Sequence, residues 1–390
     1  MVSPNTATPA TVRQVNRAIL LNLIRTHQPV SRIQLSGLTG IYRSNVSFIV
    51  EELIREGLVR EQRGKPLGRG RVPMFLSLDP DGFRVVGVSI RACETVLALA
   101  DLTGRILESR AFRTPKSPAT WVDHFRSSLD RFRAASGPAT GAFHQICISV
   151  PGMVNQASGE ILWMNALPNY SGYRLRDVVE SSTGIATTVA NDCHLATTCE
   201  RWLDNTAGDL KNFVFLEVGD VGVGAGMIVN GELCTGHNST FAAEFGHMVV
   251  DPSGPRCNCG RQGCWELFVC DRATYGVYDP AREFSPSRFE ELIRLARAGD
   301  RKALRAFQRT AAHLSLGISN IVMVLNPEVV ILAGRLTEVW DMIYPPLANA
   351  VSMLPGKPQI RPARMSAEEL FLHGAIRHAL SGLFAAPQLG

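Results

Sequence analysis

Between Val12 and His27 apolar side chains fall at Val15, Ala18, Ile19 and Leu23, with Leu20 and Ile24 beside them. That recurrence predicts an amphipathic helix. Gln28-Pro29-Val30 interrupts it, and Ser31 is placed to cap a short second helix with Ile33, Leu35 and Leu38 facing inward. Gly37 and Gly40 mark the end of that helix and the following turn. A third helix is expected from Tyr42 to Glu56, burying Val46, Ile49, Val50, Leu53 and Ile54. Its first turns leave Tyr42, Arg43, Ser44, Asn45 and Ser47 outward. Leu58-Val59-Arg60 and Met74-Phe75-Leu76 then read as two short strands around a Gly/Pro loop that carries Arg63, Lys65, Arg69 and Arg71.

After Asp79-Pro80-Asp81-Gly82 the pattern changes. "RVVGVSI" and "TVLALADLTGRILESRAF" predict successive strands, turning at Leu102-Thr103-Gly104, and residues 117–135 have a helical period. "HQICISVPGMV", "TTVAND", "NFVFLEVG" and "GAGMIVNGEL" are further strands, and a helix from Leu304 to Leu325 precedes the strand "PEVVILAG". Alternating strands and helices predict an α/β body with no short repeat. The expected division is residues 1–80 as a head and 81–390 as a body.

Charge sharpens that division. Residues 1–78 hold eleven Arg and Lys against four Glu and no Asp, a balance of +7, which leaves −2 for the rest of a chain whose net charge is +5. A basic head on a near-neutral body is the footprint of nucleic-acid binding. A helix, a short helix, a tight turn and a helix with exposed hydrogen-bonding side chains suit a major groove, and arginines on a wing loop suit a minor groove and its phosphates. Arg32, Tyr42, Arg43, Ser44, Asn45, Ser47, Arg69 and Arg71 are the candidate DNA contacts. A three-helix protein-interaction module or a solvated basic face remains the alternative.

The 390 residues, 45% of them hydrophobic, suffice for two to three domains with a sizeable core. The N-terminus lacks an apolar stretch long enough for a secretory signal, and no run reaches the length of a membrane span. A cytoplasmic location with reduced thiols and no membrane insertion is therefore expected. Six of the nine cysteines are scattered singly and suit buried apolar positions. Cys257, Cys259 and Cys264 in "CNCGRQGC" are different. Three thiols so close are redox centres, a chance cluster, or three legs of a metal site in which Gly260 and Gly263 let the chain curl back.

Together the head, the body and "AEFGHMVVDPSGPRCNCGRQGCWE" (243–266) resemble the ROK family of repressors, open reading frames and kinases, over nearly the whole chain. The resemblance implies an α/β architecture: an N-terminal winged helix-turn-helix, then a two-lobed actin-like (ribonuclease H-like) sugar-kinase body. It supplies His247 as the fourth ligand beside Cys257, Cys259 and Cys264, which closes one structural Zn2+ site per chain. It also implies that Asn191, Asp192, Glu244, His247 and Glu266 surround a sugar, with Asn169 on a further sugar-contacting loop. The family's Gly before the Glu is Ala243, read as a small change. Asp192 would be the general base of a kinase, or a helix N-cap ahead of "CHLATTCERW".

The phosphate loops depart from the family pattern. Asp-x-Gly-Gly-Thr is replaced by Ser89-Ile90-Arg91-Ala92-Cys93. The Gly-Thr of the second loop is Asp220-Val221, ahead of Gly222, Gly224 and Gly226, and the usual Gly-Gly near the base is Gly334-Arg335. ATP-dependent catalysis is not expected, so Asp192 would be vestigial. The implied function is a sugar-responsive transcriptional regulator of repressor type, a homodimer or homotetramer on palindromic operator DNA. A hexose kinase with a fused head, and a repressor released by a sugar-transport phosphotransferase protein, are the alternatives.

Overall fold

The structure, a computed structural model, describes residues 9–64, 73–136, 143–203, 210–240 and 242–384. The head consists of α1 (Pro9–His27), α2 (Arg32–Thr39) and α3 (Arg43–Arg55), followed by strands β1 (Val59–Arg63) and β2 (Met74–Leu78). Ser31 caps α2 as expected and forms a reciprocal capping box with Gln34. β1 and β2 pair antiparallel, and Val30 bridges to Leu76 as a further contact to the hairpin. Val46, Ile49, Val50 and Leu53 of α3 are buried, while Ile54 is half-buried. Two inward assignments fail. Ile33 and Leu38 are 64% and 56% exposed, because an eight-residue helix packed along one edge buries only the Leu35 position. On α1 the buried face is Ala18, Leu20, Leu21 and Ile24, and Ile19 turns outward.

In the body, β3 (Arg84–Ile90), β4 (Glu94–Asp101), β5 (Ile106–Arg113), α4 (Pro118–Ser136) and β6 (Phe143–Val150) come first. A small hairpin of β7 (Met153–Asn155) and β8 (Glu160–Trp163) follows, then α5 (Leu175–Thr183), β9 (Ala186–Asn191) and α6 (Asp192–Leu203). The second half runs through β10 (Phe213–Val218), β11 (Val223–Val229), β12 (Glu232–Leu233), α7 (Glu266–Val269), α8 (Asp271–Tyr278), α9 (Pro286–Arg297) and α10 (Arg301–Leu325). It ends with β13 (Val329–Ala333), α11 (Trp340–Ser352), β14 (Gln359–Pro362) and α12 (Ala367–Phe384).

These elements form two compact units, one of residues 1–150, 166–189 and 375–390, the other of residues 151–165 and 190–374. The first contains the five-stranded sheet β5-β4-β3-β6-β9, in which β3, β4 and β5 are antiparallel neighbours and β6 runs parallel to β3. Every residue of β3 is buried, Arg84 and Ser89 included, so its apolar residues do not alternate with exposed ones. The second unit contains β12-β11-β10-β13-β14, with β10, β11 and β12 antiparallel and β13 parallel to β10. Its core lies between this sheet and α10, α9 and α11, around Trp265, Phe289, Phe307, Leu314 and Ile318. No helix among the described residues is long and apolar enough to cross a membrane.

Candidate functional site

The cysteine segment folds as a tight loop. Cys257 N–H donates to Arg261 O (2.8 Å) and Gly260 N–H to Cys257 O (3.0 Å). Gly260 and Gly263 have φ of 89° and 74°, where a side chain would be strained. The floor is held by Trp265, fully buried, whose Nε1 donates to His313 O on α10 (2.7 Å), and by Phe268 stacked on the His313 ring. Gly317 of α10 leaves the space the Trp265 indole fills.

His247 ends a short 3-10 turn, Phe245–His247, that follows Glu244. The turn places its Nδ1 3.6 Å from Cys257 Sγ, while Cys259 Sγ and Cys264 Sγ stand 3.5 Å apart. One ligand atom from each of the four residues lies within 4.8 Å of the others, a set that could hold a metal ion. In a tetrahedral Zn2+ site with Zn–S near 2.3 Å, neighbouring sulfurs are about 3.8 Å apart, so the spacing fits such an ion. Burial opposes ionisation of Cys259, but bonds from the Arg261 backbone and guanidinium win and bring its pKa down to about 6. Burial raises Cys257, whose thiol donates to Glu266 Oε1 (3.0 Å).

Of the residues assigned to a sugar, His247, Glu266 and Glu244 meet at this loop. Glu266 opens α7, with one carboxylate oxygen 3.4 Å from His247 Nδ1 and the other over Gly222, where a Cβ would come within 2.9 Å. Burial raises the pKa of Glu244, which lies in the fields of His247 and Glu266. Cys193, behind them, is raised well above its usual pKa by burial and by the charges of Asp192, Glu217 and Glu244.

At the start of α6 the structure separates two roles that the sequence left on one residue. The cap belongs to Asn191, whose Oδ1 accepts from His194 N–H (3.0 Å) while its Nδ2 donates to Gly152 O (3.0 Å). Asp192 is the first helical residue and accepts from its neighbour, Cys193 N–H. Asn169 lies in the other unit, where its side-chain amide donates to Lys116 O (3.2 Å).

Three features had no sequence signal or were read differently. Ala243 has φ of 59°, a left-handed conformation that glycine adopts freely and alanine at a cost of about 1 kcal/mol, so its replacement of a glycine is not small. Gly224 and Gly226 lie in β11 and face α6; a Cβ at either would collide with Cys193 or Thr197. These glycines thus serve close helix–sheet packing. Asp220 pairs with Arg335, whose Nε also donates to the buried Asp271 (3.0 Å), so the two departures from the phosphate pattern meet each other. Asp271 had no motif to announce it.

In the head, Tyr42, Arg43, Ser44 and Asn45 are exposed at the start of α3, and Ser47 is half-buried. Arg32 is engaged by Glu61 (2.9 Å) and Glu51 (2.8 Å). Arg69 and Arg71 lie outside the described residues.

The sequence matches the ROK family over residues 85–374. The chain belongs to the ROK family. A xylose repressor of Bacillus spizizenii is 28% identical over 357 residues, covering 88% of this chain and 91% of the relative. Among solved structures, a ROK family transcriptional regulator described as a homologue of the E. coli Mlc protein superposes with a TM-score of 0.82 at 23% identity, covering 96% of this chain and 98% of its own. A ROK glucokinase from Streptomyces griseus, solved with glucose and AMPPNP, superposes with a TM-score of 0.64 at 24% identity over 77% of this chain and 100% of its own. The body of this ROK chain thus has the α/β fold shared by family regulators and sugar kinases.

Proposed function

We propose that this ROK protein is a sugar-responsive transcriptional regulator of repressor type. The observation that carries the reading is a contrast within one unit. Asp192, Glu244, His247 and Glu266 stand together as polar groups able to grip vicinal hydroxyls, while the loop at Asp220 is tied by Arg335 to Asp271. A nucleotide phosphate would have to displace that ion pair and face two carboxylates, so phosphoryl transfer from ATP is disfavoured. The xylose repressor relative, similar along most of the chain, supports the same reading.

On this reading Zn2+ is structural. His247, Cys257, Cys259 and Cys264 are four protein ligands, which fill a tetrahedral shell and leave no position for a bound water. His247 turns Nδ1 to the cysteines, so a sugar hydroxyl would be met by its Nε2. On the same reading the head is a winged helix-turn-helix that would offer Tyr42, Arg43, Ser44, Asn45 and Ser47, at the start of α3, to base edges. A dimer or tetramer on a palindromic operator would turn a change in head spacing into a steep change in affinity.

Calorimetric titration with D-xylose, D-glucose and N-acetyl-D-glucosamine, repeated on Glu244→Ala, tests the pocket. Saturable binding by one sugar, lost in the variant, is expected. Release of ADP from ATP on adding the same sugars would overturn the assignment in favour of a kinase.

A further inference from the structure

Helix α12 contributes to both units: residues 367–374 belong to the second and residues 375–384 to the first. Its first half is seated on α6, the helix that begins at Asp192. Gly374 approaches so closely that a Cβ there would come within 2.6 Å of Leu195 O. Glycine costs roughly 1 kcal/mol inside a helix, and this contact accounts for its presence. Ala367, Leu370 and Phe371 share a core with Cys193, Ala196 and Cys199 of α6. The approach to α12 is bound to the same helix, since the fully buried Glu200 accepts from Arg364 N–H (2.7 Å) and from Arg361 (3.0 Å).

The last residue of α12 meets the head. Phe384 O accepts from Asn22 Nδ2 of α1 (2.7 Å), and the Arg25 guanidinium lies over the Phe384 ring at 5.4 Å. α1 is tied in turn to the helix that carries the DNA-facing residues. Arg13 pairs with Glu52 and lies over Phe48 at 4.7 Å, and Arg17 pairs with Glu56.

We propose that α12 carries the effector signal from α6 to the head, through the Asn22–Phe384 contact. The inference rests on the sugar-responsive reading above. Occupancy at Asp192 biases the position of α6, α12 moves with it through the Gly374 seat, and α1 follows the end of α12. An element shared in this way gives the two sites a common equilibrium to bias, which is the physical requirement for coupling.

The test uses full-length, Zn2+-loaded protein and a duplex selected by that protein from a random-sequence pool. Sugar affinity is read by calorimetry with D-xylose, D-glucose and N-acetyl-D-glucosamine, and duplex affinity by fluorescence anisotropy with and without saturating sugar. The wild type should change its duplex affinity by about 5- to 150-fold on sugar binding. Asn22→Ala and Phe384→Leu should bind the sugar as the wild type does, yet change duplex affinity by less than about twofold. Asn22→Ala removes the bonds that this half-buried side chain makes to Ala18 O, Phe384 O and the Arg25 guanidinium, and serves if Phe384→Leu does not fold. A full wild-type response in folded Asn22→Ala overturns the role of α12 and leaves the sugar-responsive reading standing. A wild type that binds none of the sugars, or binds one without changing duplex affinity, overturns both.

Discussion

The two units carry the same sheet and use it differently. In each, the strands stand in the order third, second, first, fourth, fifth, with the first three antiparallel and the fourth parallel to the first. In the first unit the turn between the opening strands is short and closed by its backbone, Arg91 N–H donating to Glu94 O (2.9 Å). In the second unit the matching turn, 219–222, is closed by the same backbone bond, Gly219 N–H donating to Gly222 O (3.0 Å), but there Arg335 also pairs with Asp220, and Gly224 and Gly226 admit α6 to the adjoining strand. The His247 and cysteine cluster and all but one of the sugar-assigned residues belong to the second unit with that turn, whereas α3 belongs with the first unit. One architecture thus serves as a scaffold for the head and, duplicated, as a frame for chemistry. The difference lies in what packs against the turn.

The comparison breaks first at the metal loop. Cys259→Ser, or a chelator added to Zn2+-loaded protein, should destabilise the second unit by on the order of 5 kcal/mol; this is less than the ~10–16 kcal/mol of zinc-finger peptides, because Trp265 already anchors the loop. Thermal unfolding with and without chelator measures it, and an unchanged Tm would mean that no metal supports the loop.

Arg335→Ala comes next. It leaves the buried Asp271, whose carboxyl is already pushed by burial well above the usual carboxylate range, without its guanidinium partner and should cost about 1–3 kcal/mol in denaturant unfolding. Asp271→Asn in the same background should recover part of the loss, because the buried charge is gone; no recovery would show that the arginine acts by packing.

The third effect depends on pH. Burial lowers the pKa of His194 to about 4, so the folded state holds the ring neutral where the unfolded chain, near 6.5, would protonate it. The unfolded state then binds more protons between these values, so this contribution is full above pH 6.5 and is lost as pH falls to 4. It is worth about 3 kcal/mol. The stability of wild type relative to His194→Gln should fall across that window, and a parallel profile for the two proteins would remove His194 from the account. Smallest is Ala243→Gly, expected to stabilise by about 0.5–1 kcal/mol through relief of the left-handed alanine. A loss of stability there would mean that the Ala243 methyl group packs more favourably than its backbone is strained.

Much of this was legible in the residues. Ligand spacing and helix-start polarity are local, so the Cys257–Cys264 loop and the exposed face of α3 could be read directly, whereas His247 came only with the family resemblance. Strands such as β3 and β13 were legible as apolar runs. What could not be read depends on residues far apart in sequence. The pairing of Asp220 with Arg335 spans 115 positions, and the Asn22–Phe384 contact spans 362. Ile33 and Leu38 misled because periodicity says which face is apolar, while burial depends on whether a neighbour covers it. The duplicated strand order leaves no repeat in the sequence, because the two turns have been rebuilt from different residues.

The most direct test of the account is the affinity of the selected duplex for the wild type and for Glu244→Ala, each titrated by anisotropy with and without a saturating concentration of the sugar found by calorimetry. The account predicts a sugar-dependent change of about 5- to 150-fold in the wild type and none in Glu244→Ala, with sugar-free duplex affinity the same in both. Equal sugar responses in the two proteins would contradict it, because the second unit would then not be where the signal enters.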